Sequence, residues 1–248
     1  MNVPVARDGD LVAETVYKRF GSREVLNGVF FRASPGRVTA VLGVNGCGKS
    51  TLFKLIAGVL RADAGRFVYG NLVTGSPSLA RLSRIGLSYV PQDPMLMSNM
   101  RVEAQLCSFG CGREQIEDVK ATLDLTGLTG RKPRQLSGGE RRRCDLAAVL
   151  LLKPRYLLMD EPFTGLAPVD AERICAGLRN CAAAGSAVII TDHAIDFTLS
   201  VADDVWFLDN GTCRYVGDRD RAVEDPDLRR YYLGRRRGRN ARSSSPAA

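Results

Sequence analysis

The stretch RVTAVLGVNGCGKS, Arg37 to Ser50, decides the fold. Arg37 to Leu42 reads as a buried strand, and it runs directly into the pattern G-x-x-x-x-G-K-[ST]. Glycines at 43, 46 and 48 let successive backbone N–H groups close around phosphate oxygens. The helix predicted over Lys49 to Leu60 adds the positive end of its dipole. Lys49 brings a point charge to the β and γ phosphates, and the Ser50 hydroxyl suits Mg²⁺. The candidate nucleotide-binding residues here are Gly43, Val44, Asn45, Gly46, Cys47, Gly48, Lys49, Ser50 and Thr51. Cys47 lies at a helix N-terminus, which favours the thiolate; we expect it to react with alkylating agents and to be protected by nucleotide.

Downstream, YLLMDEP carries a strand into adjacent acids, Asp160 and Glu161. Asp160 at the strand end is the candidate Mg²⁺ holder, and Glu161 is placed to polarise a water attacking the γ-phosphate. Between loop and acids stands LSGGERRR, Leu136 to Arg143. Ser137 and Glu140 spell a capping box opening a helix, whose free N–H groups suit an anion. The lone histidine, His193, follows AVIITD at the end of another predicted strand.

Outward from these motifs, strands are expected over Leu11–Tyr17 and Val25–Ala33, with Tyr17 on the inner face, and around a turn at Gly70-Asn71. Residues from about Arg101 to Gly130 turn helical. Further helices are expected over Gly138–Leu152 and Val169–Ala184, and strands over Tyr156–Met159 and Ala187–Ile190. A closing hairpin is expected across Asn210-Gly211, where both residues tolerate positive φ. Alternating strands and helices imply a mainly parallel sheet with ligands at the strands' C-terminal ends.

Bulk properties narrow the class. A chain of 248 residues suffices for one large α/β domain. No apolar run approaches the roughly 20 residues of a membrane-spanning helix, and MNVPVARDGD lacks the apolar core of a secretory signal. The net charge of +8 includes five arginines between 235 and 242; taking those away leaves +3 for residues 1–234, so no nucleic-acid partner is expected. The stretch 235–248 reads as a basic, disordered tail. Seven scattered cysteines suggest reduced thiols rather than disulfides or zinc.

The order of these motifs resembles the ATP-binding cassette (ABC) family, over about residues 10–234. The resemblance implies a P-loop NTPase α/β core with an antiparallel β subdomain and a helical subdomain inserted at about 93–150. It implies an ATPase using ATP and Mg²⁺, with Gln92 touching the metal, His193 contacting the γ-phosphate and Phe20 stacking on adenine. It also implies that Ser137, Gly138, Gly139 and Glu140 bind ATP held by a second cassette, in a homo- or heterodimer. Separate integral membrane subunits would carry the cargo, with the cassette peripheral on the cytoplasmic membrane face. LSGGERRR, TDH and DPDLRRYYLG are similar to lipopolysaccharide-export ATPases; PFTGLAP and the same closing segment are similar to branched-chain amino-acid importer ATPases. Ala167 departs from the family, many of whose members have Asp there. A soluble cassette of the iron–sulfur cluster assembly type is the alternative.

Overall fold

The computed structural model describes residues 8–233; the basic stretch 235–248 lies outside them. In chain order the elements are β1 (Leu11–Phe20), β2 (Arg23–Ala33), β3 (Arg37–Leu42), α1 (Lys49–Ile56), β4 (Ala64–Tyr69), β5 (Leu72–Thr74), α2 (Leu79–Arg84) and β6 (Leu87–Val90). Then come α3 (Val102–Cys107), α4 (Arg113–Thr122), α5 (Gly138–Leu150), β7 (Tyr156–Asp160), α6 (Pro168–Ala183), β8 (Ala187–Thr191) and α7 (Ile195–Val201). The chain closes with β9 (Asp204–Asp209), β10 (Thr212–Gly217), α8 (Arg219–Glu224), α9 (Pro226–Leu228) and one π-helical turn, Arg229–Leu233.

Two sheets result. One is antiparallel, in the order β2-β1-β4-β5; the other runs β10-β9-β3-β8-β7-β6 and is parallel except for the β9–β10 edge pair. Covered on both faces, β7 and β8 are buried at every position, which is why they read as continuous apolar runs. Each large side chain there, such as Leu158 or Ile189, contributes about 1.5–3 kcal/mol by leaving water. The parallel pairing also aligns strand ends: Val90 lies opposite Met159, and Asp160 opposite Thr191. The segments that follow β3, β6, β7 and β8 therefore emerge along one edge, and these carry the phosphate loop, Gln92, Glu161 and His193.

Three expectations need correcting. Helix α1 stops at Ile56 rather than Leu60, because Gly58 turns left-handed at φ 68°. Tyr17 is not on an inner face. Thr15 adopts φ 51°, the β1 register slips on both sides of it, and the phase of β1 reverses: Val16 is buried and Tyr17 is 37% exposed. Third, Cys47 is buried, and that burial pushes its thiol pKa up, against the pull of Lys49. Its sulfur faces the Gly43 side of the loop, so a thiolate is disfavoured where the helix end alone would favour one.

Candidate functional site

The phosphate loop borders a cavity of about 610 Å³. Asn45, Gly46, Gly48, Lys49, Ser50 and Thr51 line one side, Phe20, Arg23 and Val25 another, and Glu161 and His193 the far wall. The fold thus brings together residues from β1, β2, the loop with the start of α1, and the segments that follow β7 and β8. Gly43, Val44 and Cys47 form the loop's rear rather than the cavity wall. Gly43 is required there because a β-carbon would collide with the carbonyl oxygen of Leu208 and the sulfur of Cys47. Lys49 is buried, and its Nζ donates to the carbonyls of Gly43 and Val44 at 2.8 and 3.0 Å.

Glu161 is the centre of the far wall. Its backbone is left-handed (φ 51°), held by an N–H bond to the Thr191 carbonyl at 2.7 Å. One carboxylate oxygen accepts from Gln92 Nε2 at 2.9 Å, and the other lies 3.0 Å from His193 Nε2. Three residues 69 and 32 positions apart in the chain thereby meet. Beneath them Asp160, 4% exposed, receives a long bond from Ser50 Oγ at 3.4 Å. Burial raises the Asp160 pKa, opposed by that hydroxyl.

Sequence reasoning missed the residues that brace this wall. Arg142, buried on α5, donates to the Pro91 carbonyl at 2.6 Å and to the Asp160 carbonyl. Burial lowers its pKa while Asp145 and Asp160 oppose the shift. Asp145 accepts from the N–H groups of Met95 and Leu96 at 3.2 and 3.1 Å, fixing the segment after Gln92. Asp192, fully buried, accepts from Phe163 N at 2.5 Å, Thr164 Oγ1 at 3.1 Å and Ala194 N at 2.8 Å, so it ties the segment after Glu161 to the one bearing His193. The available signal was a charged residue inside an otherwise buried pattern, which single-sequence reading does not separate from a solvated one.

The capping box forms as expected: Glu140 N donates to Ser137 Oγ at 3.2 Å, and Ser137 N donates to Glu140 Oε2 at 2.7 Å. Gly139 packs where a β-carbon would strike the Asp170 carboxylate. None of Ser137, Gly138, Gly139 and Glu140 lines the phosphate-loop cavity of its own chain. Gly138 instead borders a neighbouring groove with Gln92, Arg142 and Glu161.

A glycine loop between a parallel strand and a helix, facing Glu161 across a cavity with Asp160 buried beside Ser50, defines a P-loop nucleotide-binding cassette. The ABC transporter family model matches residues 26–164. Over 240 residues, 93% of this chain and 85% of the relative, the sequence is 34% identical to a probable ABC transporter ATP-binding protein of Azorhizobium caulinodans. It is 35% identical over 233 residues to the lipopolysaccharide export system ATP-binding protein LptB of Acidithiobacillus ferridurans, covering 90% and 96% of the two chains. The fold is similar to the ADP conformation of an ATP-binding cassette of an ABC transporter, with TM-score 0.79, 28% identity, and 90% and 98% of the chains covered. The chain belongs to the ABC transporter family and is an ATP-binding, ATP-hydrolysing cassette subunit. The relatives named here are transporter ATPases, so the iron–sulfur assembly alternative gains no support from them. No helix among the described residues is long and apolar enough to cross a membrane, and the family pairs its cassettes with membrane permeases.

Proposed function

We propose that Glu161 is the base of the hydrolytic reaction, taking the proton of the water that attacks the γ-phosphate of ATP held on Gly43–Thr51. The observation that carries this is the suspension of its carboxylate between Gln92 and His193 on the wall facing Lys49. Phosphoryl transfer is mostly positioning and charge stabilisation, and an acid fixed at both oxygens is already oriented. Lys49 exchanges its two backbone carbonyls for phosphate oxygens when the nucleotide enters. His193 keeps Glu161 in place and lines the same cavity, where it would contact the γ-phosphate.

Mg²⁺ fits the donor set. Ser50 and Asp160 offer hard oxygens facing each other, and a buried carboxyl with a raised pKa gains from a cation. Ser50 and Asp160, with Gln92, would hold the ion, which supplies charge neutralisation at the phosphates. Phe20, 48% exposed with the Lys18 ammonium 5.3 Å from its ring centroid, offers a face for adenine.

The same reading makes the working unit a head-to-tail dimer. The capped start of α5 is outside its own chain's cavity and suits the γ-phosphate held by an opposite cassette. Met95 and Met97, 43% and 61% exposed just after Gln92, suit docking by a membrane subunit at the cytoplasmic face. Relatives named for lipopolysaccharide export make an amphipathic lipid the first cargo class to test. The test is Glu161→Gln: phosphate release should fall at least about a hundredfold while ATP binding persists. Purified with ATP from detergent extracts, this variant should bring down a polytopic membrane protein. Undiminished turnover would overturn the assignment of Glu161, and recovery of soluble partners alone would overturn the transport reading.

A further inference from the structure

After β10 the chain returns to the phosphate loop from behind, and several contacts fix that return. Arg214 forks onto Asp225 at 2.8 Å to each oxygen and reaches Asp227 Oδ2 at 2.7 Å. Asp225 caps α9 by accepting from the N–H groups of Asp227 and Leu228. Tyr231 stacks on Phe207 with ring centroids 6.1 Å apart. Tyr232 packs against the cluster containing Leu42, Phe207 and Leu228. Its hydroxyl accepts from the Gly43 amide at 3.0 Å and donates to the Gly43 carbonyl. One side chain thus grips both polar groups of a loop residue 189 positions away.

Gly43 offers nothing else to grip, since Leu208 and Cys47 exclude any side chain there. Its carbonyl also accepts from Lys49 Nζ at 2.8 Å, so lysine and tyrosine share one acceptor. Lys49 must leave that carbonyl to reach a phosphate. A carbonyl that loses a charged donor is costly unless a second donor stays behind. Tyr232 is that second donor.

We infer that Tyr232 is a positioning residue for nucleotide binding: it fixes the first residue of the phosphate loop and satisfies the Gly43 carbonyl when Lys49 moves to phosphate. This rests on the reading of Gly43–Ser50 as the phosphate site. The C-terminal turn would then set ATP affinity although it never touches ATP.

The experiment is Tyr232→Phe in the full chain, which keeps the ring's packing and removes only the hydroxyl. The KM for ATP should rise about 3- to 10-fold, the worth of one or two net hydrogen bonds, with kcat held within about twofold. Tyr231→Phe, which retains the stacked ring, should leave KM unchanged. Hydrogen exchange at the Gly43 amide should be slow in the parent protein and faster in Tyr232→Phe. An unchanged KM in a normally folded Tyr232→Phe overturns the inference, as does a fall in kcat and melting temperature with KM constant. Should that variant not fold, rapid exchange at Gly43 in the parent protein overturns it. Failure of the parent protein to bind ATP would instead overturn the phosphate-loop reading.

Discussion

Arg142 donates a hydrogen bond to the backbone carbonyl of Asp160, so helix α5 holds the strand end that precedes Glu161. Its second nitrogen holds the Pro91 carbonyl, next to Gln92. The guanidinium is a brace between two of the three residues that meet at the far wall.

Arg142→Ala should therefore cost about 3 kcal/mol, since it leaves two carbonyls short of a charged donor in a buried place. Turnover should fall more than about tenfold as Gln92 and Glu161 lose their common support. Arg142→Lys, with one point donor instead of a fork, should recover part of the stability and little of the turnover. Thermal melts and phosphate release on the three proteins decide it; an Arg142→Lys enzyme at full rate would refute the brace.

Thiol labelling should invert the order that the loop's sequence suggests. Cys107 is exposed, whereas Cys47 is buried and its pKa raised. Brief treatment with iodoacetamide should modify Cys107 well before Cys47, and ATP should not alter the Cys47 rate. Peptide mass spectrometry reads both sites at once. Rapid, nucleotide-protected labelling of Cys47 would contradict the packing described above.

Ala167 begins α6 at the N-cap position with no side-chain cap. Ala167→Asp should supply one, raising stability by about 1 kcal/mol, and the added acid in this exposed segment should change turnover as well. Chemical denaturation tests the first effect. A variant no more stable than its parent would mean that the helix end is satisfied in another way.

The Arg214 fork, more than burial or the helix cap, decides the Asp225 carboxyl, holding it below the usual carboxylate range. Its folded value is depressed, so the folded chain binds fewer protons than the unfolded one between the two values. This contribution is present above about pH 4 and is lost as pH falls through the depressed folded value. Asp225→Asn should lower the urea midpoint at pH 7 and flatten its decline below pH 4. Parallel acid profiles for the two proteins would show that the fork does not bias the titration.

What the sequence made legible was local. The strand–loop–helix at 37–56, the Ser137–Glu140 box and the Asn210-Gly211 turn, with φ of 46° and 75°, each depend on neighbours within a few positions. The Gly70-Asn71 hairpin joined β4 to β5 for the same reason. The reversal of β1 at Thr15 was hidden, because it depends on Gly65, where a β-carbon would strike the Thr15 carbonyl across the sheet. Helix α2 and the elements after β10 were also missed, being too short to show a period. At the site the motif residues could be picked out as candidates from their spacing. Their supports were not: Arg142, Asp145, Asp192 and Tyr232 act on backbone groups that only the folded chain brings near.

Glu161 occupies a left-handed backbone position that suits glycine or asparagine better, at a strain of about 1–2 kcal/mol for an L-residue. A directed-evolution campaign scored on heat tolerance alone would be rewarded for replacing it. Its winners would melt later and, on the role proposed for Glu161, would release phosphate far more slowly. Libraries built on this scaffold should hold position 161 fixed, or be scored on phosphate release from the first round.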